Sequence, residues 1–330
     1  MTDLPWLAEY EALTQGAGLV DLAERTQIEL QGADRAAFLH NLCTNDIRKL
    51  EPSAGCEAFM TTIQGKILAF VFVFSGSDPE GASLVIETVA AQGEKLRRHF
   101  DKYLVREKVE IIDRSNDWAG WLLAGSRAEQ VLQSALSHGE IPTKLLSSSI
   151  ATISHTTVWI RRVDLAGPVG FLVDSQRGDY MQVGSLLQKA GAHRCGHEAF
   201  EAARIEAGFP RFGHDITENN LPQEVARDHR AISFTKGCYL GQETVARINA
   251  LGHVNKTLVG LRFLQSTIPK VGAAVLAGDE SVGTVSSSTW SPKFNSPLAL
   301  GYVRRGFNAP GARLASNIGP AEVEVTELPV

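Results

Sequence analysis

The sequence contains no long apolar run and no excess of basic residues. Its longest apolar stretch, residues 67–74, is the length of a strand, whereas a membrane-spanning helix needs about 20 apolar residues. The formal net charge of −5 argues against binding to nucleic acid through a broad basic surface. The first residues also lack the basic start of a secretory signal peptide. The sequence therefore predicts a cytoplasmic protein with no membrane and no nucleic-acid partner.

Cysteine is scarce, with four residues (Cys43, Cys56, Cys195 and Cys238) in a chain of 330. These are too few and too scattered for a disulfide framework. They include no C-x-x-C pair of the kind that zinc knuckles and ferredoxins use. Cys195 lies between two histidines within residues 193–197, but a metal there would need a further ligand from elsewhere. We interpret this stretch as a turn that leads into a helix, and we predict no stably bound metal.

Strand and helix patterns alternate along the first 250 residues, without the glycine-rich fingerprint of a dinucleotide-binding fold. Residues 57–63 and 66–74 are typical of two strands joined by a tight turn, and residues 82–89 of a third strand. This predicts an α+β fold of split β-α-β (ferredoxin-like) type. From residue 255 onward, short strands separated by proline and glycine turns predict a small β-barrel. We therefore expect two units, residues 1–250 and residues 255–330.

The chemistry of the sequence is concentrated in residues 236–247, which read K-G-C-Y-L-G-Q-E-T-V-A-R. Gly237 and Gly241 suit a loop with an exposed backbone, and the residues after Gly241 favour a short helix. Cys238 is therefore expected just before a helix N-terminus and close to Lys236, and both features favour the thiolate. A free cysteine is more often a small buried apolar residue. The glycines and the lysine nevertheless make Cys238 and Lys236 the candidate reactive pair.

A second candidate is a carboxylate near the end of a predicted helix. The pattern of residues 197–207 predicts this helix, and Gly208-Phe209-Pro210 would end it. Glu206 falls in its last turn at the edge of the apolar stripe, where a carboxylate opposes the helix dipole. The long polar segment that follows, residues 210–224, is typical of a functional loop.

Residues 236–247 resemble the signature of the YgfZ family, K-G-C-Y-x-G-Q-E-x-V-A-R, at every fixed position. These proteins are folate-binding relatives of the glycine-cleavage T protein and are linked to building or repairing iron–sulfur clusters. Residues 204–210 resemble the T-protein segment that bears the pterin-holding carboxylate, and residues 44–47 the segment after its first helix. The resemblance extends weakly along nearly the whole chain. It implies a T-protein-like fold around a central channel that holds tetrahydrofolate, with a C-terminal β-barrel.

The same resemblance implies roles for individual residues. Glu206 would accept the paired N–H donors of a pterin edge, and such charge-assisted paired contacts are strong. Arg247 would favour the anionic tail of the folate or hold Glu243 in place, and Cys238 would face the channel. Three further residues are assigned to the folate site: Asp46, Tyr239 and Gln242.

Two functions follow from this resemblance. The first is a tetrahydrofolate-binding accessory protein for the assembly, maintenance or repair of iron–sulfur clusters, with client enzymes or cluster-assembly proteins as partners. Its Cys238 would be a transient cluster ligand, an acceptor of sulfur or of a one-carbon unit, or a redox-sensitive contact. The alternative is a folate-dependent aminomethyltransferase or demethylase. A structural protein with a relic pocket is a third possibility.

One departure separates the two functions. The T protein uses an aspartate shortly after the strand that corresponds to residues 82–89 for one-carbon transfer. In this chain residues 90–95 contain no aspartate. Unless Glu94 substitutes, aminomethyl transfer lacks its acid/base group.

Overall fold

The computed structural model describes residues 4–76, 83–316 and 321–329. The elements before the barrel are, in chain order, α1 (Leu7–Thr14), β1 (Gly18–Asp21), β2 (Thr26–Gln31), α2 (Arg35–His40), β3 (Gly55–Thr61), β4 (Ile67–Ser75), β5 (Ser83–Thr88), α3 (Gly93–Tyr103), β6 (Glu110–Asp113), β7 (Trp118–Ala124), α4 (Ala128–Ala135), β8 (Leu136–His138), β9 (Ser148–Ile153), β10 (Thr156–Val163), β11 (Gly170–Gln176), α5 (Tyr180–Lys189), β12 (His193–Cys195), α6 (His197–Glu206), α7 (Asp228–Ala231) and α8 (Gln242–Leu251). Short 3-10 turns lie at Ile47–Lys49 and Pro222–Val225. The barrel consists of β13 (Lys256–Phe263), β14 (Ala274–Ala277), β15 (Glu280–Ser291), β16 (Ser296–Arg304), β17 (Arg313–Ser316) and β18 (Ala321–Thr326).

A five-stranded antiparallel sheet has the order β3-β4-β5-β2-β6. One face packs on α2 and α3, and the other faces the centre of the molecule. Both faces are therefore covered, which explains why β4 is apolar almost throughout instead of alternating. The three strands predicted in this region are confirmed. The predicted third strand began at Ala82, which lies outside the described residues.

A seven-stranded sheet has the order β12-β1-β7-β11-β10-β9-β8. β1 pairs with β12 in parallel and with β7 in antiparallel fashion. The turn expected at residues 193–197 is wrong, because His193–Cys195 pairs with Gly18–Val20 as an edge strand before α6 begins. A three-residue strand leaves too short a pattern to be recognised, and its partner lies about 175 residues earlier.

The C-terminal strands form a closed barrel in the order β13-β16-β15-β14-β17-β18. Its interior is filled by apolar side chains that include Leu261, Phe263, Val275 and Val303. Strand β17 was not expected from the sequence, since within it Leu314 is the only large apolar side chain that is buried. The predicted fold class, a T-protein-like fold with a C-terminal β-barrel, is confirmed. The division into residues 1–250 and 255–330 stays a prediction.

Helix α6 occupies the centre of the molecule. Its buried residues belong to one apolar cluster with side chains from α1, from both sheets and from barrel strand β16. Within the described ranges, no helix is long and apolar enough to cross a membrane.

Candidate functional site

A cavity of about 720 Å³ lies between the two sheets beside α6. We call it the first cavity. Phe70 and Phe72 of β4 and Phe209, which follows α6, contribute aromatic rings to its wall. The rings of Phe72 and Phe209 are stacked, with centroids 5.9 Å apart and an interplanar angle of 22°. Flat aromatic faces of this kind suit a planar ring system.

The acidic group nearest the end of β5 is already paired. Glu87 lines the first cavity but is fully buried, and its carboxylate accepts hydrogen bonds from Arg25 and Arg161. Arg161 in turn binds Asp174. After β5, the cavity wall continues through Val89, Ala90 and Gln92. This stretch therefore brings no carboxylate to the cavity, in agreement with the sequence.

Glu206 lies in the wall of a second cavity of about 520 Å³. Its Oε2 accepts a hydrogen bond from the Tyr10 hydroxyl at 2.6 Å, and its Oε1 accepts one from the Ser291 hydroxyl. The Lys293 backbone N–H lies 3.4 Å from the same Oε1. Burial and the neighbouring carboxylate raise the pKa of Tyr10. These donors explain how a carboxylate is tolerated in the last turn of α6.

Lys236 does not lie free beside Cys238. Its Nζ atom donates to the carbonyl oxygens of His40, Cys43 and Asn45 at 2.5, 2.7 and 2.7 Å. It also lies 4.7 Å from the centroid of the Tyr239 ring. Burial is the main cause that lowers the pKa of Lys236. The ammonium thus binds the carbonyls at the end of α2, and its support of a Cys238 thiolate stays a prediction.

The segment that follows Lys236 is held from two further sides. The Leu240 backbone N–H donates to the carbonyl of Asn41 at 2.9 Å, and the Thr61 hydroxyl donates to the carbonyl of Leu240 at 2.5 Å. Gly241 adopts a φ of 83°, and a Cβ there would collide with the carbonyl oxygen of Thr62. The glycine is therefore required by close backbone packing and not by flexibility.

Cys238 is exposed and lies within this fixed segment, whereas Cys43 and Cys195 are buried and Cys56 is half-buried. Helix α8 begins at Gln242, four residues after the thiol, and its N-cap is Gly241. The helix predicted after Gly241 is confirmed, and Cys238 precedes its N-cap by three residues. The structure presents the thiol to solvent from a rigid backbone.

The remaining predicted site residues are separated from both cavities. Tyr239 is buried, Gln242 is half-buried and Arg247 is exposed on α8. The Asp46 carboxylate lies 3.2 Å from His40 Nδ1 and 3.2 Å from Lys49 Nζ. Of the seven predicted residues, Glu206 alone belongs to the described walls of the first two cavities.

The sequence alone did not reveal the aromatic wall of the first cavity or the hydrogen-bond donors to Glu206 in the second cavity. In the sequence, Phe70 and Phe72 of the first cavity have the pattern of ordinary core residues of a strand. Tyr10 and Ser291 meet Glu206 across 196 and 85 residues of sequence, so no local pattern links them. The described residues contain no group of three or more histidine, cysteine, aspartate or glutamate side chains that could hold a metal ion.

Comparison with known proteins shows similarity to the glycine-cleavage T protein along almost the whole chain. Residues 3–236 match the GCVT N-terminal domain, and residues 256–330 match the glycine cleavage T-protein C-terminal barrel domain. An aminomethyltransferase of Nostoc sp. is 29% identical over 96% of this chain and 83% of its own length. One of Symbiobacterium thermophilum is 28% identical over 93% of this chain and 84% of its own length.

The fold also agrees with a solved structure. The crystal structure of the glycine cleavage system aminomethyltransferase T from Bartonella henselae superimposes with a TM-score of 0.87 at 19% identity, over 98% of this chain and 88% of the other. At this identity the likeness concerns the fold alone. With both domains matched in sequence, the chain belongs to the glycine-cleavage T-protein family.

Proposed function

We propose that this T-protein-family chain is a tetrahydrofolate-binding accessory protein of the YgfZ type. In this role it supports the assembly, maintenance or repair of iron–sulfur clusters in client enzymes, with Cys238 as its functional thiol. The observation that carries the proposal is the rigid presentation of Cys238. Buried contacts account for Lys236, Tyr239 and Gly241 of the same motif, which leaves the thiol directed to the surface. A surface thiol suits contact with a macromolecular partner more than contact with a folate in an interior cavity.

The folate part of the proposal rests on Glu206. A pterin edge offers adjacent N–H donors, and a buried carboxylate is the acceptor that matches them. Two of the present donors to Glu206 are hydroxyls, from Tyr10 and Ser291, and hydroxyls can rotate away or accept in turn. Glu206 can therefore exchange them for a pterin. A bound reduced folate would supply one-carbon chemistry to the protein.

An aminomethyltransferase is the second candidate, and the names of the relatives support it more directly than they support an iron–sulfur role. The relatives matched by sequence carry that name, and nothing in their names concerns clusters. One observation argues against aminomethyl transfer by this chain. After β5, the wall of the first cavity continues through Val89 and Ala90, and this stretch contains no carboxylate. Glu94 does not replace it, because its side chain is exposed on α3 and bonds Arg98.

Folate binding is tested by calorimetric titration with tetrahydrofolate. Glu206→Gln keeps the shape of the side chain but removes its charge, and we expect binding at least about tenfold weaker because charged hydrogen bonds contribute about 1.5–3 kcal/mol. Glu198→Gln is the matched control, since Glu198 is exposed in the first turn of the same helix. Equal affinity of Glu206→Gln and wild type would remove the pterin assignment.

The role of the thiol is tested in a deletion strain. We expect Cys238→Ala to bind tetrahydrofolate as wild type does but to fail to restore the activity of iron–sulfur enzymes. Full restoration by Cys238→Ala would contradict the accessory role of this thiol. Formation of methylene-tetrahydrofolate from an aminomethyl donor by the purified protein would instead establish the transferase.

A further inference from the structure

A polar cavity of about 390 Å³ lies where α8 ends and the barrel begins, and we call it the junction cavity. Three parts of the chain meet there. Gln223 and Asp228 come from the 3-10 turn and α7, Asn249 from the last turn of α8, and Arg305 and Asn308 from the barrel. It shares no residue with the first or the second cavity. Its occupant is therefore independent of the proposed folate role.

The acidic group of this cavity, Asp228, has one carboxylate oxygen without a hydrogen-bond donor. Within the described ranges Asp228 makes no ion pair, and its buried Oδ1 accepts no hydrogen bond. The arginines on either side are engaged elsewhere: Arg227 binds Glu57, and Arg230 binds Glu57 and Asp164. Burial raises the pKa of Asp228 to about 6. A buried carboxylate oxygen without a donor destabilises the fold, so a ligand that donates to Oδ1 would bind favourably.

A second acceptor accompanies Asp228. Gln223 is 7% exposed, and its amide nitrogen donates to the Val245 carbonyl at 2.7 Å. Its amide oxygen is buried and has no donor among the described residues. The C-terminal end of α8 also adjoins the cavity, and helix C-termini carry partial negative charge. This side of the cavity therefore favours a cationic group with several N–H donors.

Besides His253, whose Nδ1 lies 2.9 Å from the Leu251 carbonyl oxygen, the basic residue of the cavity is Arg305. Its backbone N–H donates to the carbonyl of Asn255 at 2.8 Å. Its side chain is exposed and belongs to no ion pair in the part of the chain that the structure describes. Arg305 and Asp228 thus line one cavity without pairing with each other. Guanidinium groups bind carboxylates through two parallel hydrogen bonds.

We propose that the junction cavity binds a small zwitterion, a free amino acid. Its ammonium group contacts Asp228 and the amide oxygen of Gln223, and its carboxylate contacts Arg305. A simple amine would leave Arg305 unpaired, and a simple carboxylate would leave Asp228 unpaired. The volume of about 390 Å³ has room for the side chain of the amino acid as well.

The test is calorimetric titration of the full chain with glycine and L-glutamine, with methylamine and acetate as ligands that carry one charge each. We expect the two amino acids to bind and the single-charge ligands to bind at least about tenfold more weakly. Asp228→Asn and Arg305→Gln should each weaken amino-acid binding at least about tenfold. Arg304→Gln is the matched control, because Arg304 is exposed next to Arg305 and pairs with Glu280.

Three outcomes would overturn the proposal. The first is no binding of either amino acid at about 10 mM, which is weaker than any specific site of this size should give. The second is binding that Asp228→Asn and Arg305→Gln leave unchanged. The third is energetic coupling between these two substitutions in thermal unfolding without ligand, since it would mean that Asp228 and Arg305 pair directly. Arg305→Gln alters an exposed side chain, so it keeps the test valid even if Asp228→Asn unfolds the protein.

Discussion

Replacing Lys236 with methionine keeps the apolar stem of the side chain but removes its ammonium group. The carbonyl oxygens of His40, Cys43 and Asn45 then lose their shared donor, and the side chain at their centre is 93% buried, with a relative exposure of 7%. We expect the end of α2 and the Cys238 segment to loosen together, because this one group joins them.

The magnitude follows from the three hydrogen bonds. A bond from a charged donor contributes about 1.5 kcal/mol or more, and a stranded buried acceptor costs about 1–3 kcal/mol. Burial of the ammonium, which lowers the pKa of Lys236, offsets part of this. We therefore expect Lys236→Met to destabilise this region by about 3 kcal/mol, which corresponds to roughly a hundredfold change in the opening equilibrium.

Hydrogen exchange measures this opening locally, so the chain need not unfold in a single step. The amides of residues 40–46 and 236–241 should exchange about a hundredfold faster in Lys236→Met. Lys66→Met is the matched control, since Lys66 donates one exposed hydrogen bond to the Asn219 carbonyl. It should change exchange near residue 219 by less than about fivefold.

The competing idea, that Lys236 activates the thiol, predicts a different result. Lys236→Met would then leave exchange of residues 40–46 unchanged and would slow alkylation of Cys238 by iodoacetamide more than about tenfold. That pair of observations would refute the structural role of Lys236 in joining the end of α2 to the Cys238 segment. If Lys236 has this structural role, its replacement does not slow the alkylation of Cys238.

Further predictions concern a glycine, a histidine and the thiols. Gly241→Ala should destabilise the protein by more than about 2 kcal/mol in thermal unfolding, because its Cβ would collide with Thr62. Gly252→Ala, at a φ of 73° with open space around its Cβ, should cost only about 1 kcal/mol. Burial, and then Lys102 and Lys95, lower the pKa of His99 to about 4. The folded state thus favours neutral His99, whose contribution to stability is present above about pH 6.5 and is lost as the pH falls through about 4. Between pH 7 and pH 4, urea unfolding should therefore show that wild type loses about 2 kcal/mol more unfolding free energy than His99→Gln, after allowance for the partial exposure of His99. An equal pH dependence of the two proteins would contradict this. In the native protein Cys238 should react rapidly with Ellman's reagent, and Cys238→Ala should abolish that phase. Half-buried Cys56 is the next most accessible thiol, so three or more rapid thiols would contradict the burial of Cys43 and Cys195.

The elements that carry a strong local pattern were predictable from the sequence. Strands β3, β4 and β5 and helix α6 were found with small errors at their ends, because apolar periodicity and breaker residues mark them. The short strands β12 and β17 were missed, since three or four residues give too little pattern. Their positions are fixed by partners that are distant in sequence.

The candidate site was predictable in its residue types but not in its geometry. Residues 236–247 stand out as a motif in the sequence, but the sequence does not reveal the hydrogen-bond partners of Lys236. Sequence adjacency suggested that its amine lies near Cys238, whereas the amine reaches back about 190 residues to the end of α2. Glu206 was singled out by its position in the last turn of a helix, but its donors Tyr10 and Ser291 could only be found in three dimensions.

In sequence, the five-stranded sheet is an insertion between two neighbouring strands of the seven-stranded sheet. β1 and β7 pair with each other, while everything between them, from β2 to β6, forms the other sheet. The chain leaves the seven-stranded sheet through residues 22–25 and returns to it through residues 114–117, so two short links join the two sheets. Beside these links, Arg161 of β10 joins Glu87 of β5, which Arg25 of the first link also contacts. This ion pair ties the two sheets together. The gap between them cannot widen without separating the charges of Arg161 and Glu87, neither of which has access to water.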